Sequence, residues 1–164
     1  MAITLENFIE LSAGLSGVSA ADLPAGEKQR TADGDEATLG QIYLDRLQAS
    51  YPAGLDALAA AWEAAQAAPD PMAHLRDQLT RPEAADLRKA ARQIVKIWYL
   101  TVIDNPDPQA TEKQLSGDLG QFQHGIVWKL IRAHAPAYSY QQYGYWASKP
   151  NGRDLHSNPL GGAS

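Results

Sequence analysis

Cysteine is absent from the 164 residues, so no disulfide, no thiolate nucleophile and no Cys-ligated metal belongs to this chain. That absence does not choose a compartment, because an oxidising space tolerates a Cys-free protein as well as the cytosol does. Basic runs are missing too. With 14 Lys+Arg against 19 Asp+Glu the net charge is −5, which argues against a nucleic-acid binder, since counterion release needs a basic face. Long apolar runs are equally scarce. The most apolar stretches, such as Ile94–Ile103, fall far short of the roughly 20 residues that a bilayer span needs. The N-terminus, Met-Ala-Ile-Thr-Leu-Glu, carries neither a basic n-region, an apolar h-region nor a twin-arginine pair, and is not an export signal as written.

Chemical signatures are also wanting. There is no Gly-rich phosphate loop, no His-Glu-x-x-His, no Gly-x-Ser-x-Gly and no Gly-x-Gly-x-x-Gly. His74, His124, His134 and His156 never fall at the three- or four-residue spacing that puts two imidazoles on one helix face, so each reads as a surface or packed histidine. The carboxylate pair Asp104 and Asp107 lies in a turn-like stretch, where Asp is expected to bond backbone.

What is present is helical periodicity punctuated by Pro, Gly and Asp. Thr4 predicts a cap for a first helix bearing Leu5, Phe8, Ile9 and Leu15, stopped at Gly17. Residues 18–35 are polar and turn-rich and predict an irregular connection. Asp35 is the expected cap of a second helix with Leu39, Ile42, Tyr43 and Leu47, ended at Tyr51-Pro52. The alanine-dominated stretch 54–68 predicts a third, with Leu55, Leu58 and Trp62 on one side. Asp70-Pro71 opens a short fourth helix. The longest, about Pro82–Ile103, puts Leu87, Ala91, Ile94 and Trp98 on one face and Arg88, Lys89, Arg92 and Lys96 largely elsewhere. That basic set reads as the solvated side of the helix or as a docking face for an acidic partner. A last helix is expected near Gln121–His134, with Phe122, Ile126, Trp128, Leu130 and Ile131 on its apolar side.

The fold expected is all-α, one compact domain of five or six helices, with 1–135 as helical body and 136–164 as an irregular arm. A chain this long buries roughly two-thirds of its unfolded surface, enough for a core without staples. In the arm, five of the nine residues Tyr138–Trp146 are aromatic: Tyr138, Tyr140, Tyr143, Tyr145 and Trp146. Rings so dense in a Gly- and Gln-containing stretch require another surface. The domain's own helices, a partner chain or a ligand pocket each supply one, and Tyr and Trp are enriched at interface cores. Trp98-Tyr99 reads as core by default.

Several short motifs then occur in order: Phe8-Ile9-Glu10-Leu11-Ser12 with Gly17, Arg92-Gln93-Ile94 into Trp98-Tyr99, and Pro136-Ala137-Tyr138 followed by Gly144-Tyr145-Trp146 and Lys149-Pro150. In this pattern, which spans nearly the whole chain, the sequence resembles the small subunit of bacterial membrane-bound, FAD-dependent sugar and polyol dehydrogenases of the sorbitol, fructose and glucose type. The resemblance implies a non-catalytic helical subunit, with no cofactor of its own, that binds a large flavoprotein holding FAD. That flavoprotein in turn pairs with a membrane-anchored multihaem cytochrome c carrying haem c. It further implies a periplasmic location and a role in maturation and export of the catalytic subunit. Trp98, Tyr99, Tyr138, Tyr140, Tyr143, Tyr145, Trp146 and Lys149 are the expected partner contacts. The chain departs from the family pattern in lacking a twin-arginine signal, in Thr101, where a small Gly-like residue is expected, and in Ser139, where relatives often have Cys. The competing expectation is a stand-alone helical sugar-binding protein or enzyme with Tyr138–Trp146 lining the pocket.

Overall fold

The computed structural model describes residues 3–31 and 33–131, so the expectations for the aromatic arm lie outside the described residues. Helix α1 spans Leu5–Ser16 as its end signals predict. The Thr4 hydroxyl accepts a hydrogen bond from the Asn7 amide at 3.2 Å, and Gly17 closes the helix at φ 72, its amide donating to the Ala13 carbonyl at 3.0 Å. Phe8 and Leu11 face inward, one turn apart, and both are fully buried.

The connection after α1 is more regular than expected. A 3-10 turn at Pro24–Gly26 leads into β1, Lys28–Arg30, which pairs antiparallel with β2, Glu36–Thr38. Gly34 at φ 91 and the bonds from the Thr31 amide to the Asp35 carbonyl and from the Gly34 amide to the Thr31 carbonyl close the hairpin. Three-residue strands with exposed ends have no room to display an alternating pattern, which is why the sequence reads as loop. Because Asp35 belongs to the hairpin, the cap of helix α2, Leu39–Ser50, is Thr38 instead, accepting from the Gln41 amide at 3.3 Å.

Pro52 ends α2 and is itself the first residue of α3, Pro52–Ala65, where its missing amide costs nothing. Helix α4, Pro71–Thr80, has the predicted Asp70 cap, which accepts from the Ala73 amide at 2.9 Å. Helix α5, Ala85–Leu100, is shorter than predicted at both ends. Pro82 lies in the preceding turn, and Thr101 adopts the left-handed conformation at φ 59, stopping the helix before the proline cluster is reached. This is the position at which the resemblance implies a Gly-like residue, and the backbone adopts the conformation that glycine favours. The chain then turns into β3, Val102–Asp104, paired antiparallel with β4, Gln114–Ser116, with Ile103 opposite Leu115.

In place of one last helix there are two of five residues each, α6, Leu119–Gln123, and α7, Ile126–Leu130. Gly125 sits at the break, and a Cβ there would lie 2.8 Å from the Tyr99 carbonyl, so the backbone passes too close to α5 for a side chain. Trp128 fastens the joint, its indole N–H donating to the Phe122 carbonyl at 2.9 Å and its ring meeting Phe122 edge-on at 5.2 Å.

The described residues are therefore helical, with two two-stranded hairpins attached. Helix α5 is the hub, packing on α1, α2, α3, α4 and α7. Its Trp98 ring is fully buried, stacked on Phe8 of α1 at 6.2 Å and edge-on to Tyr43 of α2 at 4.9 Å. Leu39, Leu47, Leu58, Leu75, Ile94 and Ile97 complete the core.

A Cβ at Gly17 would meet no atom within 4 Å, so the value of glycine there is conformational and not steric. Gly17→Ala is expected to lower stability by about 1 kcal/mol through strain at positive φ, read as a lower urea midpoint with unchanged m-value.

Candidate functional site

Of the residues expected to touch a partner, Trp98 is a correction. Its side chain is 0% exposed and is spent entirely on the core, because the α5 face that carries it is the face clasped by α1 and α2. Tyr99 is half-buried, and its hydroxyl donates to the Ser16 carbonyl at 2.9 Å, tethering α5 to the last turn of α1. Tyr138, Tyr140, Tyr143, Tyr145, Trp146 and Lys149 lie outside the described residues.

Two surfaces remain. The first is apolar and lies at the C-terminal end of α5. Leu100, the last residue of α5, is 45% exposed, and Leu119, Leu130 and Ile131 are each more than half exposed. They belong to one end of the bundle, since α7 packs on α5 and the Gly117 amide, just before α6, donates to the Thr101 carbonyl at 2.8 Å. Large apolar groups clustered in solvent mark interaction sites on soluble domains. The periodicity predicts Leu130 and Ile131 on an inward face. They turn outward because the helix breaks at Gly125 and the apolar stripe loses its phase.

The second surface is cationic and lies on the N-terminal half of α5. Spacing i, i+4, i+8 lines up Arg88, Arg92 and Lys96 along the helix. Each basic residue has a distinct setting. The Arg88 guanidinium is fixed by the carbonyls of Leu79, at 3.0 Å, and Arg81, so it caps the end of α4. Lys89 lies over the ring of Tyr51, 5.3 Å from its centroid. Lys96 is paired with Asp104. Arg92 is exposed and makes no hydrogen bond or ion pair among the described residues. Arg88, Lys89 and Arg92, together with Ala85, Gln93 and Asp104, line an open groove of about 330 Å³.

Asp104 is the anchor of that groove, and it differs from its turn-like expectation. It is a strand residue whose carboxylate accepts from Lys96 and, at 2.8 Å, from the Gln93 amide, while its own N–H donates to the Gln93 carbonyl oxygen at 2.7 Å and its carbonyl accepts from the Tyr51 hydroxyl at 2.7 Å. Hydrogen bonds from Lys96 and Gln93, with the charges of Lys96 and Arg92, hold its pKa below the ordinary aspartate value. Asp107 does fill the turn role, accepting from the Gln109 amide at 2.8 Å.

No family profile, curated protein or solved structure matches the chain.

A part-buried polar clasp ties α2 to the end of α5, to β4 and to α6, and no sequence motif announces it. Arg46 of α2 donates to the carbonyls of Thr101, at 3.2 Å, and Leu115, at 2.9 Å, and to the Gln121 side chain at 2.9 Å. Burial disfavours its charged form, an effect opposed by Tyr43 and Asp118. Its one sequence signal is a basic residue three positions after Tyr43 on a helix whose other face is core. Among the described residues no three His, Asp or Glu side chains are grouped to hold a metal ion.

Replacing Arg46 with Met should cost about 2–3 kcal/mol, since three charge-assisted hydrogen bonds are lost and the Leu115 carbonyl loses its buried donor; urea denaturation measures it. The pH dependence follows from Asp104. Folding lowers its pKa, so its contribution is fully present above the ordinary value of 3.8 and is lost as pH falls from there through the folded value. Asp104→Asn should therefore show a smaller drop in urea midpoint between about pH 5 and about pH 2.5 than the unsubstituted chain shows.

Proposed function

We propose that this chain is a non-catalytic helical subunit that binds and stabilises the FAD-containing catalytic subunit of a membrane-associated sugar or polyol dehydrogenase and assists its maturation or export. The observation that carries an accessory role is the exposed apolar cluster of Leu100, Leu119, Leu130 and Ile131. It stands where the chain enters the sequence containing Tyr138–Trp146, so apolar surface and aromatic segment are contiguous along the chain. An accessory subunit works by mass action, raising the stability of whichever folded state of its partner it binds. Its affinity resides in a few large side chains, and aromatic residues are the usual anchors.

The resemblance to dehydrogenase small subunits supplies the identity of that partner: a flavoprotein holding FAD, linked through a haem c cytochrome to the periplasmic face of the membrane. The alternative is an independent sugar-binding activity with Tyr138–Trp146 lining the pocket, and a flat thermal-shift screen of the chain against sugars and polyols would count against it.

Co-expression with the gene product encoded beside this chain, followed by pull-down on a tag, should yield a yellow eluate with dye-linked sugar oxidation, while the chain alone is colourless and inactive. A chain that elutes alone overturns the proposal. Tyr145→Ala combined with Trp146→Ala should weaken the association by at least about 2 kcal/mol, and Leu130→Glu with Ile131→Glu by a comparable amount, both read by titration of the purified subunits.

A further inference from the structure

The cationic groove on α5 is not explained by the apolar end of the bundle. It is formed by the opposite half of the helix, in a chain whose net charge is −5. A solvated helix face would leave its basic side chains independent of one another. Here their neighbours are arranged so that one guanidinium is left over. Arg88 is committed to the carbonyls of Leu79 and Arg81, Lys96 and Gln93 are committed to Asp104, and Lys89 rests on Tyr51. The side chains around Arg92 are thus held in place by bonds within the protein, while Arg92 itself is exposed and makes no hydrogen bond or ion pair among the described residues.

The walls also constrain the ligand. The groove is open, about 330 Å³, and is lined by side chains of α5 and by Asp104 of β3. An arginine fork matches the two oxygens of a carboxylate, with Lys89 close enough in sequence to add a second positive charge. Asp104 lines the same groove and is ionised, so a multiply charged phosphate meets more repulsion there than a singly charged carboxylate does. The acidic chain as a whole likewise opposes an extended anionic bilayer.

We propose that this groove is a docking site for an acidic peptide segment of a protein partner, with Arg92 as the bidentate receptor of a Glu or Asp side chain and Lys89 as its second positive contact. The Asp104 carboxylate takes its hydrogen bonds from Lys96 and Gln93, so Arg92, whose charge also acts on Asp104 but which is not bonded to it, has its donors open to the incoming group.

The test uses the full chain and a fluorescein-labelled peptide alternating Glu and Ser, with binding followed by anisotropy at low salt. No flavoprotein is present, so failure here is distinct from failure of the pull-down. Arg92→Glu should weaken binding at least about fivefold, and Arg76→Glu, an equal charge change at an exposed position on α4, less than about twofold. Inorganic tripolyphosphate should compete no better than unlabelled peptide. Absence of binding, equal losses in the two variants, or preferential displacement by tripolyphosphate would each overturn the assignment, the last in favour of a phosphate site. Circular dichroism of both variants confirms that the helices are retained.

Discussion

The indole of Trp98 is the contact around which the described part of the molecule is arranged. It fixes α1 through Phe8 and α2 through Tyr43, and both contacts are on the one helix that also touches α3, α4 and α7. An aromatic ring held on both sides sets two interhelical distances at once, which no aliphatic side chain of the core does. The alanines at 90 and 91, both buried, then allow α5 to lie close to α3, where Gly54 faces the Ala90 methyl at 3.2 Å from a would-be Cβ. Large at one end of the interface and small at the other, α5 is wedged and not merely covered.

The same helix divides the surface. Its first half bears the basic groove braced by Asp104, and its last residue, Leu100, begins the apolar cluster. Directly after Leu100 the reversal at Thr101 turns the chain back so that β3 lies beside the helix it has just left and returns Asp104 to Gln93 and Lys96. A left-handed threonine is costly, since the β-branched side chain crowds its own backbone there. The cost is offset by what the reversal places: a buried carbonyl that accepts from both Arg46 and Gly117.

Helices are legible in the sequence wherever local chemistry decides. Thr4, Gly17, Asp70 and the Pro71 start act within one turn of themselves, and each is found in that role, while Pro52, expected only to end α2, also starts α3. The two hairpins are not legible, because three-residue strands are too short to show a period. The break at Gly125 escapes local reading because it comes from the Tyr99 carbonyl, a neighbour in space. For the site, periodicity finds the basic face of α5 but not its anchor, since Asp104 lies beyond the helix and reads locally as a turn. Trp98-Tyr99 shows the limit of motif reasoning. Two adjacent aromatics on a helix point some 100° apart, and the core takes Trp98 whole while Tyr99 reaches a carbonyl.

Arg46 has a consequence for how the molecule opens. Its three bonds reach 55, 69 and 75 residues along the chain, and they join α2 to the end of α5, to β4 and to α6. The β4 and α6 segment has little core of its own, contributing the part-buried Leu115 and Gln121. Segments with few buried apolar contacts open below the global unfolding free energy. Beside the backbone pairing of β4 with β3 and the bond from the Gly117 amide to the Thr101 carbonyl, that one guanidinium is the side chain that ties the segment to α2.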